Sequence, residues 1–452
     1  MREIRLHDTR SGEVRALEPR EPGRVAIYAC GPTVYGRIHV GNARPYVVFS
    51  LLKRFLEHEG LDVDLVVNVT DVNDKIYDAA REGGVASADL AREMTAFYEQ
   101  DTDRLGLGRP DHEPRAADTI GPIVALIGRL VERRHAYAAG GDVFFRVASW
   151  PDYGSLSHQD PSRMDQGEGV EGAERKEDPR DFALWKGRKP SEDTWWPSPW
   201  GEGRPGWHIE CSAMAEDLLG LDFEIHGGGS DLVFPHHENE AAQSEAAHGT
   251  RLARLWVHNG MVQMGEEKMA KSVGNIALLH QALGEFGRDA LVAYFLGGHY
   301  RQPIAFSAER LGDARARVAR IREAGRRLER GPSPRAMAPL LDRFLDALAD
   351  DFNTPEALAV VAEWVREANR RGAGVGDADL REMLGLLGLE TLLDVEEGDG
   401  EPPAELRELL RRRETARESR DFGQADALRE QIRAAGWEVR DGPQGPELVR
   451  AR

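Results

Sequence analysis

Cysteine is scarce in this chain of 452 residues, and long apolar runs are missing. The two cysteines, Cys30 and Cys211, exclude a disulfide framework. No run of about 18 apolar residues occurs, and the N-terminus lacks the apolar stretch of a signal sequence, so we expect a cytoplasmic protein without a membrane segment. The net charge of -19 excludes a cationic surface that coats nucleic acid, although a local basic patch could still hold RNA.

The pattern of apolar residues predicts an α/β fold and more than one domain. A strand at 24–30, a helix at 41–60 and a second strand at 62–71 predict a βαβ unit with a parallel sheet. Residues 121–141 have a helix-like pattern. We therefore predict a Rossmann-type catalytic domain over 1–305 with an insertion near 85–205, a helical bundle over 306–393, a linker at 394–405, and a small unit of two helices and a hairpin over 406–452.

The first motif with chemical meaning is PTVYGRIHVGN at 32–42, where a strand end turns into a helix. The backbone donors and the dipole of such a helix start favour a phosphate group. His39 could donate a hydrogen bond to a phosphate oxygen as charge shifts during group transfer. The alternative is a packed histidine at an ordinary turn.

The second motif is GEEKMAKSVGN at 265–275, with Lys268 and Lys271 in a chain that has only seven lysines. Lysine carries a compact charge on a flexible stem, which suits a loop that follows a departing pyrophosphate. The alternative is an exposed loop with two solvated lysines.

The third motif combines Cys30 and Cys211 with His236 and Glu240, which lie four residues apart in HGGGSDLVFPHHENE. Two thiolates, an imidazole and a carboxylate are suitable zinc ligands. Zinc prefers thiolate to hydroxyl ligands, so such a site would distinguish a thiol from a hydroxyl of similar size, which shape alone does poorly. The alternative is two buried free thiols beside an unrelated helix.

These motifs resemble those of the class I aminoacyl-tRNA synthetases. His39-Val40-Gly41-Asn42 resembles the HIGH signature and Lys268-Met269-Ala270-Lys271-Ser272 the KMSKS signature, with departures at Val40, Asn42 and Ala270. With GRPGWHIECSAM and the zinc motif, the resemblance narrows to the cysteinyl-tRNA synthetases and covers nearly the whole chain. It implies one zinc ion at Cys30, Cys211, His236 and Glu240. It also implies catalytic residues His39, Asn42, Lys268 and Lys271, ATP contacts at Thr33, His39, Gly41, Asn42, Asp231 and Lys271, and a cysteine pocket of Gly31, Thr70, Trp207 and His226.

The activity that the resemblance implies is formation of cysteinyl-adenylate from L-cysteine and MgATP, followed by transfer of cysteine to tRNA(Cys) by a monomeric enzyme. Arginines over 308–330 could contact tRNA, but the acids between them favour intrahelical ion pairs for many. One alternative is a cysteine ligase of mycothiol synthesis with an amino-sugar acceptor, which would not need the C-terminal unit. The other is an inactive RNA-binding paralogue, which would need neither the lysines nor the zinc ligands.

Overall fold

Strands and helices alternate along the first part of the chain, and helices dominate the rest. The structure, a computed structural model, describes residues 2–160, 173–264, 267–268, 277–394, 403–419, 421–435, 437–442 and 445–450. The strands are β1 (Arg5–Asp8), β2 (Glu13–Ala16), β3 (Arg24–Ala29), β4 (Asp62–Val67), β5 (Ala136–Ala139), β6 (Asp142–Phe145), β7 (Phe182–Gly187), β8 (Gly203–Pro205), β9 (Phe223–Gly229), β10 (Ala253–Asn259), β11 (Val262–Met264), β12 (Glu267–Lys268), β13 (Ile304–Ala305), β14 (Trp437–Gly442) and β15 (Gly445–Arg450).

The α-helices are α1 (Val40–His58), α2 (Asp74–Gly83), α3 (Ser87–Asp103), α4 (Ile120–Glu132), α5 (Trp207–Leu219), α6 (Glu238–His248), α7 (Leu279–Phe286), α8 (Arg288–Leu296), α9 (Ala308–Gly325), α10 (Ala338–Ala349), α11 (Thr354–Arg371), α12 (Ala378–Leu386), α13 (Ala404–Glu418) and α14 (Phe422–Ala434). The chain divides into two units, Met1–Leu392 and Leu393–Arg452. Among the described residues, no helix is both long and apolar enough to span a membrane. The predicted boundary between 305 and 306 falls inside the first unit and stays a prediction.

A parallel sheet forms the centre of the first unit, with the strand order β10-β9-β3-β4. Strand β3, helix α1 and strand β4 confirm the predicted βαβ unit. After the insertion the chain returns on the other side of β3, where β9 and β10 are added. The direction of strand addition therefore reverses between β3 and β9. In such sheets, ligands bind beyond the carboxyl ends of the strands at the reversal.

The insertion contains an antiparallel sheet in the order β5-β6-β7-β8. The helix-like interpretation of 121–141 was wrong in its second half, because α4 ends at Glu132 and β5 follows. Gly140 and Gly141 have φ angles of 63° and 92°, which glycine adopts readily. The tight turn they form pairs β5 with β6.

Helices α9 to α12 confirm the predicted helical character of 306–393, and Trp364 of α11 is fully buried among them. Some arginines in and just after α9 form ion pairs: Arg322 of α9 pairs with Asp289, and Arg327, two residues after the helix, contacts Glu323 at 2.6 Å. In the second unit, α13, α14 and the β14–β15 hairpin confirm the predicted two helices and hairpin. Residues 395–402 of the predicted linker lie outside the described part of the chain.

A glycine in the centre of the sheet gives a test of this packing. A Cβ atom at Gly227 would lie 2.1 Å from the Phe49 ring and 2.7 Å from the carbonyl oxygen of Val257. We expect Gly227→Ala to lower the free energy of unfolding by about 1–3 kcal/mol because the core is overpacked. Gly128→Ala in α4, where a Cβ meets nothing within 4 Å, is the matched control and should be neutral or slightly stabilising. Urea unfolding measures both, and equal stability of the two variants would contradict the packing described.

Candidate active site and metal centre

Four side chains of types that commonly bind metals meet near the carboxyl ends of β3 and β9. One ligand atom from each of Cys30, Cys211, His236 and Glu240 lies within 4.8 Å of all the others, and all four residues are buried. Glu240 Oε1 is 3.4 Å from Cys30 Sγ and 3.0 Å from His236 Nε2. Ligands around a tetrahedral zinc ion are separated by roughly 3.3–3.8 Å, given its bond lengths. The cluster therefore has the size and the donor types that zinc requires.

Separate elements deliver these side chains. Cys30 directly follows β3 and donates its backbone N–H to the carbonyl of Gly227 in β9, at 2.9 Å. Cys211 lies in the second turn of α5. Helix α6 begins at Glu238, so His236 lies just before the helix and Glu240 lies in its first turn. The two side chains are close together, as predicted, although only Glu240 is in the α-helix.

The charges in the cluster favour a cation at its centre. Burial raises the pKa of the Cys30 thiol, and the nearby Cys211 and Glu240 raise it further because like charges repel. Burial lowers the pKa of His236, but Glu240 and Cys211 outweigh that effect and raise it overall. Two sulfur donors and a carboxylate crowded into a dry site are costly without a positive partner, and a zinc ion would supply it.

Further histidines surround the ligands. His226 Nε2 lies 2.9 Å from Glu240 Oε2, and His208 Nδ1 lies 3.0 Å from His236 Nδ1. Trp207 stacks on the His236 ring, with 4.2 Å between the ring centroids. Contacts of this kind fix the orientation of ligand side chains.

A cleft with a volume of about 600 Å³ opens above the cluster. Among the predicted site residues, those that line it are Cys30, Gly31, Thr33, His39, Gly41, Asn42, Trp207 and Asp231. Cys30 therefore belongs both to the metal cluster and to the cleft wall. Thr70 and His226, predicted for the cysteine pocket, are buried beside this region and are not part of its lining. Thr70 instead accepts a hydrogen bond from Asn68 at 3.2 Å.

The first motif forms the start of α1. His39 Nδ1 accepts from the backbone N–H of Asn42, and Asn42 Oδ1 accepts from the backbone N–H of His39, both at 3.2 Å. This is a reciprocal helix cap. Because Nδ1 accepts a hydrogen bond, a neutral His39 carries its proton on Nε2, where it can act as a donor. A Cβ at Gly41 would lie 2.9 Å from the His39 ring, so glycine is needed here.

The second motif is only partly described. The backbone of Lys268 is in β12, paired with Gln263 of β11, and Lys271 lies outside the described residues. The sequence interpretation gave no role to Lys75 and Tyr35, which also line the cleft, with the Lys75 ammonium 5.5 Å from the Tyr35 ring centroid. Because lysine is scarce in this chain, its presence at position 75 was the sequence signal that could have marked Lys75 as a candidate for the cleft.

Comparisons with known proteins agree with this geometry. Residues 16–316 match the family model for tRNA synthetases class I (C) catalytic domain, residues 343–389 the DALR domain, and residues 399–446 the cysteinyl-tRNA ligase anticodon binding domain. A solved methionyl-tRNA synthetase of Mycobacterium tuberculosis has a similar fold, with a TM-score of 0.60 at 18% identity over 82% of this chain and 88% of that one. The fold and the match of the catalytic domain together show that the chain is a class I aminoacyl-tRNA synthetase.

Full-length relatives narrow the class to one family. The chain is 45% identical to the cysteine–tRNA ligase of Alkalilimnicola ehrlichii, over 98% of both chains. It is 43% identical to that of Halorhodospira halophila, over 99% of this chain and 100% of the relative. The chain belongs to the cysteine–tRNA ligase family and is an aminoacyl-tRNA ligase. Neither the amino-sugar ligase nor the inactive paralogue is favoured by these matches.

The buried histidines give a pH-dependent test. Burial, together with the nearby His226, lowers the pKa of His258 to about 3. His258 therefore stays neutral in the folded chain while the unfolded chain takes up a proton below about pH 6.5, so acid favours unfolding.

Removing the His258 imidazole should weaken the dependence of folding stability on pH. Between pH 6.5 and 5 we expect the unaltered chain to lose up to about 2 kcal/mol more stability than His258→Gln, at fixed zinc concentration. Half-exposed His112 provides the control His112→Gln, which should follow the unaltered chain. Urea unfolding across this pH range measures the slopes, and parallel slopes for His258→Gln and the unaltered chain would exclude this source of acid sensitivity.

Proposed function

We propose that this chain activates L-cysteine with MgATP to cysteinyl-adenylate, releases pyrophosphate, and transfers cysteine to the 3′ end of tRNA(Cys). A zinc ion held by Cys30, Cys211, His236 and Glu240 selects cysteine over serine. The observation that carries the proposal is the position of Cys30, which is shared by a buried cluster of zinc-type donors and by a cleft that also contains the first motif. Through Cys30, the cluster therefore borders the same cleft as the start of α1, where the phosphates would bind.

Bound zinc would supply a preference for a thiolate over a hydroxyl. The protein side chains do the rest of the selection. The Trp207 ring, held against His236, forms the wall next to Cys30 and limits the size of the substrate side chain. Position 31 must be glycine because the neighbouring backbone is so close: a Cβ there would lie 1.8 Å from the Asn68 carbonyl oxygen. Its backbone N–H is held by Asn68 Oδ1 at 2.9 Å.

Attack of the cysteine carboxylate on the α-phosphate needs positioning and charge stabilisation, with no side-chain nucleophile. His39 would donate from Nε2 to a phosphate oxygen, and the amide groups at the start of α1 add the positive end of the helix dipole. Lys268 and Lys271 would neutralise the departing pyrophosphate. Thr33, Gly41, Asn42 and Asp231 would complete the ATP contacts, and magnesium would be held mainly by phosphate oxygens and water.

The second unit is proposed to read the anticodon, because residues 399–446 match the anticodon binding model. Arginines of α9 without a carboxylate partner are candidates for phosphate contacts of tRNA. We propose that the enzyme acts as a monomer in the cytoplasm, where ATP and tRNA are available.

The direct test is ATP-dependent charging of total bacterial tRNA with labelled cysteine or serine. We expect charging with cysteine, at a cysteine-to-serine ratio of kcat/KM above the roughly hundredfold that shape alone provides. Cysteine-dependent ATP–pyrophosphate exchange without charging would contradict tRNA as the acceptor and restore the amino-sugar ligase. Absence of both reactions would restore the inactive paralogue.

The metal proposal has a matched pair of variants on α6. Glu240→Gln removes an anionic ligand, so we expect zinc affinity to fall more than about tenfold, with loss of cysteine-dependent exchange. Glu245→Gln is the control, because Glu245 pairs with Arg10 at 2.7 Å and is outside the cluster. Zinc content after dialysis, measured by elemental analysis, tests the assignment. Equal zinc retention in both variants would refute Glu240 as a ligand.

A further inference from the structure

Arg44 is a buried cation that pairs with no carboxylate in the described part of the chain. It lies two residues after Asn42 on α1 and is completely buried, yet no ion pair joins it to an acid within the described residues. Burial lowers its pKa to about 10, which leaves the guanidinium charged at neutral pH. Burying an unpaired charge is costly, so its other contacts must offset that cost.

Those contacts are three backbone carbonyls. Arg44 Nη1 donates to Gly260 at 2.5 Å and to Met261 at 3.3 Å, and Nη2 donates to His299 at 3.0 Å. Gly260 and Met261 connect β10 to β11, and both line the cleft. A Cβ at Gly260 would lie 2.3 Å from the backbone of Gln302, so the segment is tightly packed. The guanidinium fork therefore joins α1 to two backbone segments at once.

The held segment leads directly to the second motif. After Met261 the chain forms β11, and Gln263 of β11 pairs with Lys268 of β12. Met261 also accepts from the backbone N–H of Ile304 at 2.9 Å, which starts the pairing of β11 with β13. Arg44 thus supports the root of the hairpin whose second strand contains Lys268.

The far end of the motif is attached to the same part of α1. Val40 donates its backbone N–H to Ala277 at 2.9 Å, and Leu279 donates to Ile38 at 3.0 Å. The segments on both sides of residues 265–276 are consequently attached at or near the start of α1. One is held by the Arg44 side chain and the other by backbone hydrogen bonds to Ile38 and Val40.

We propose that Arg44 is a positioning residue for adenylate formation: it sets the placement of the Lys268 hairpin relative to the His39–Asn42 turn. This inference rests on the proposed function of the two motifs. Lysine at position 44 keeps a charge but cannot donate to three carbonyls in a planar fork. A displacement of about 1 Å between groups that act on the same phosphates is enough to reduce a rate strongly.

The test compares Arg44→Lys and Arg44→Gln with Arg54→Lys and Arg54→Gln. Arg54 is on the same helix and also donates to backbone carbonyls, those of Gly106 and Gly385, but it does not contact the 259–264 segment. We expect the Arg44 variants to lose at least about tenfold in kcat of cysteine-dependent ATP–pyrophosphate exchange, with KM for cysteine unchanged. Their melting temperature should fall, because buried carbonyls lose a donor, while the variants remain folded at the assay temperature. The Arg54 variants should keep kcat.

A double-mutant cycle distinguishes positioning from general support of the fold. If Arg44 acts through the hairpin, Arg44→Lys combined with Lys268→Ala should lose little more than the larger single loss. The proposal would be overturned if the double variant lost the product of the two single-variant losses in kcat, or if Arg44→Lys kept its kcat. It would also be overturned if both Arg44 variants failed to fold while the Arg54 variants folded.

Amide hydrogen exchange separates this inference from the proposed function, since it requires no activity. In Arg44→Lys we expect faster exchange at 260–264 than in the unaltered chain, with no change in Arg54→Lys. Unchanged exchange there would overturn the anchoring by Arg44. Inactivity of the unaltered chain would instead contradict the proposed function.

Discussion

The hydrogen bond of 2.9 Å from the Cys30 backbone N–H to the Gly227 carbonyl joins the carboxyl ends of β3 and β9. At this point the order of strand addition in the parallel sheet reverses, which opens a crevice between the two strand ends. His236 and Glu240 reach Cys30 because β9 is paired directly with β3 and α6 follows β9, whereas Cys211 reaches it from α5, which precedes β9. The placement of the cluster, the cleft and the start of α1 at one edge of the sheet depends on that strand pairing.

The chemistry of the cluster explains why the region around it is polar yet dry. Cys30, Cys211, His236 and Glu240 are buried, and burial favours the neutral form of thiols and carboxylates. The neighbouring His208 is held neutral, because burial lowers its pKa. A site that concentrates anionic donors and excludes water is suited to hold a soft cation and to favour a thiolate ligand from a substrate.

Helix α1 has two functions in this arrangement. Its first turn, capped by His39 and Asn42, presents amide donors to the cleft. One turn further, Arg44 binds carbonyls of the segment that leads to the second motif. A single helix can therefore hold together two sequence motifs that are more than 200 residues apart in the chain. Contacts between an arginine side chain and backbone carbonyls place few demands on residue identity in the partner segment, so sequence patterns do not reveal them.

The sequence by itself determined the βαβ unit and the helical character of 306–393, and it picked out four residues that the structure brings together, because apolar periodicity and rare residue types are local signals. It misread 136–139, where the strand depends on pairing with β6 across a Gly-Gly turn. Only the tertiary structure decided that Thr70 and His226 lie beside the cleft and not in its lining, that Lys75 and Tyr35 line it, and that Arg44 is buried with no acid paired to it among the described residues. Those properties arise from distances between residues far apart in the chain, and strand order and packing fix such distances where periodicity cannot.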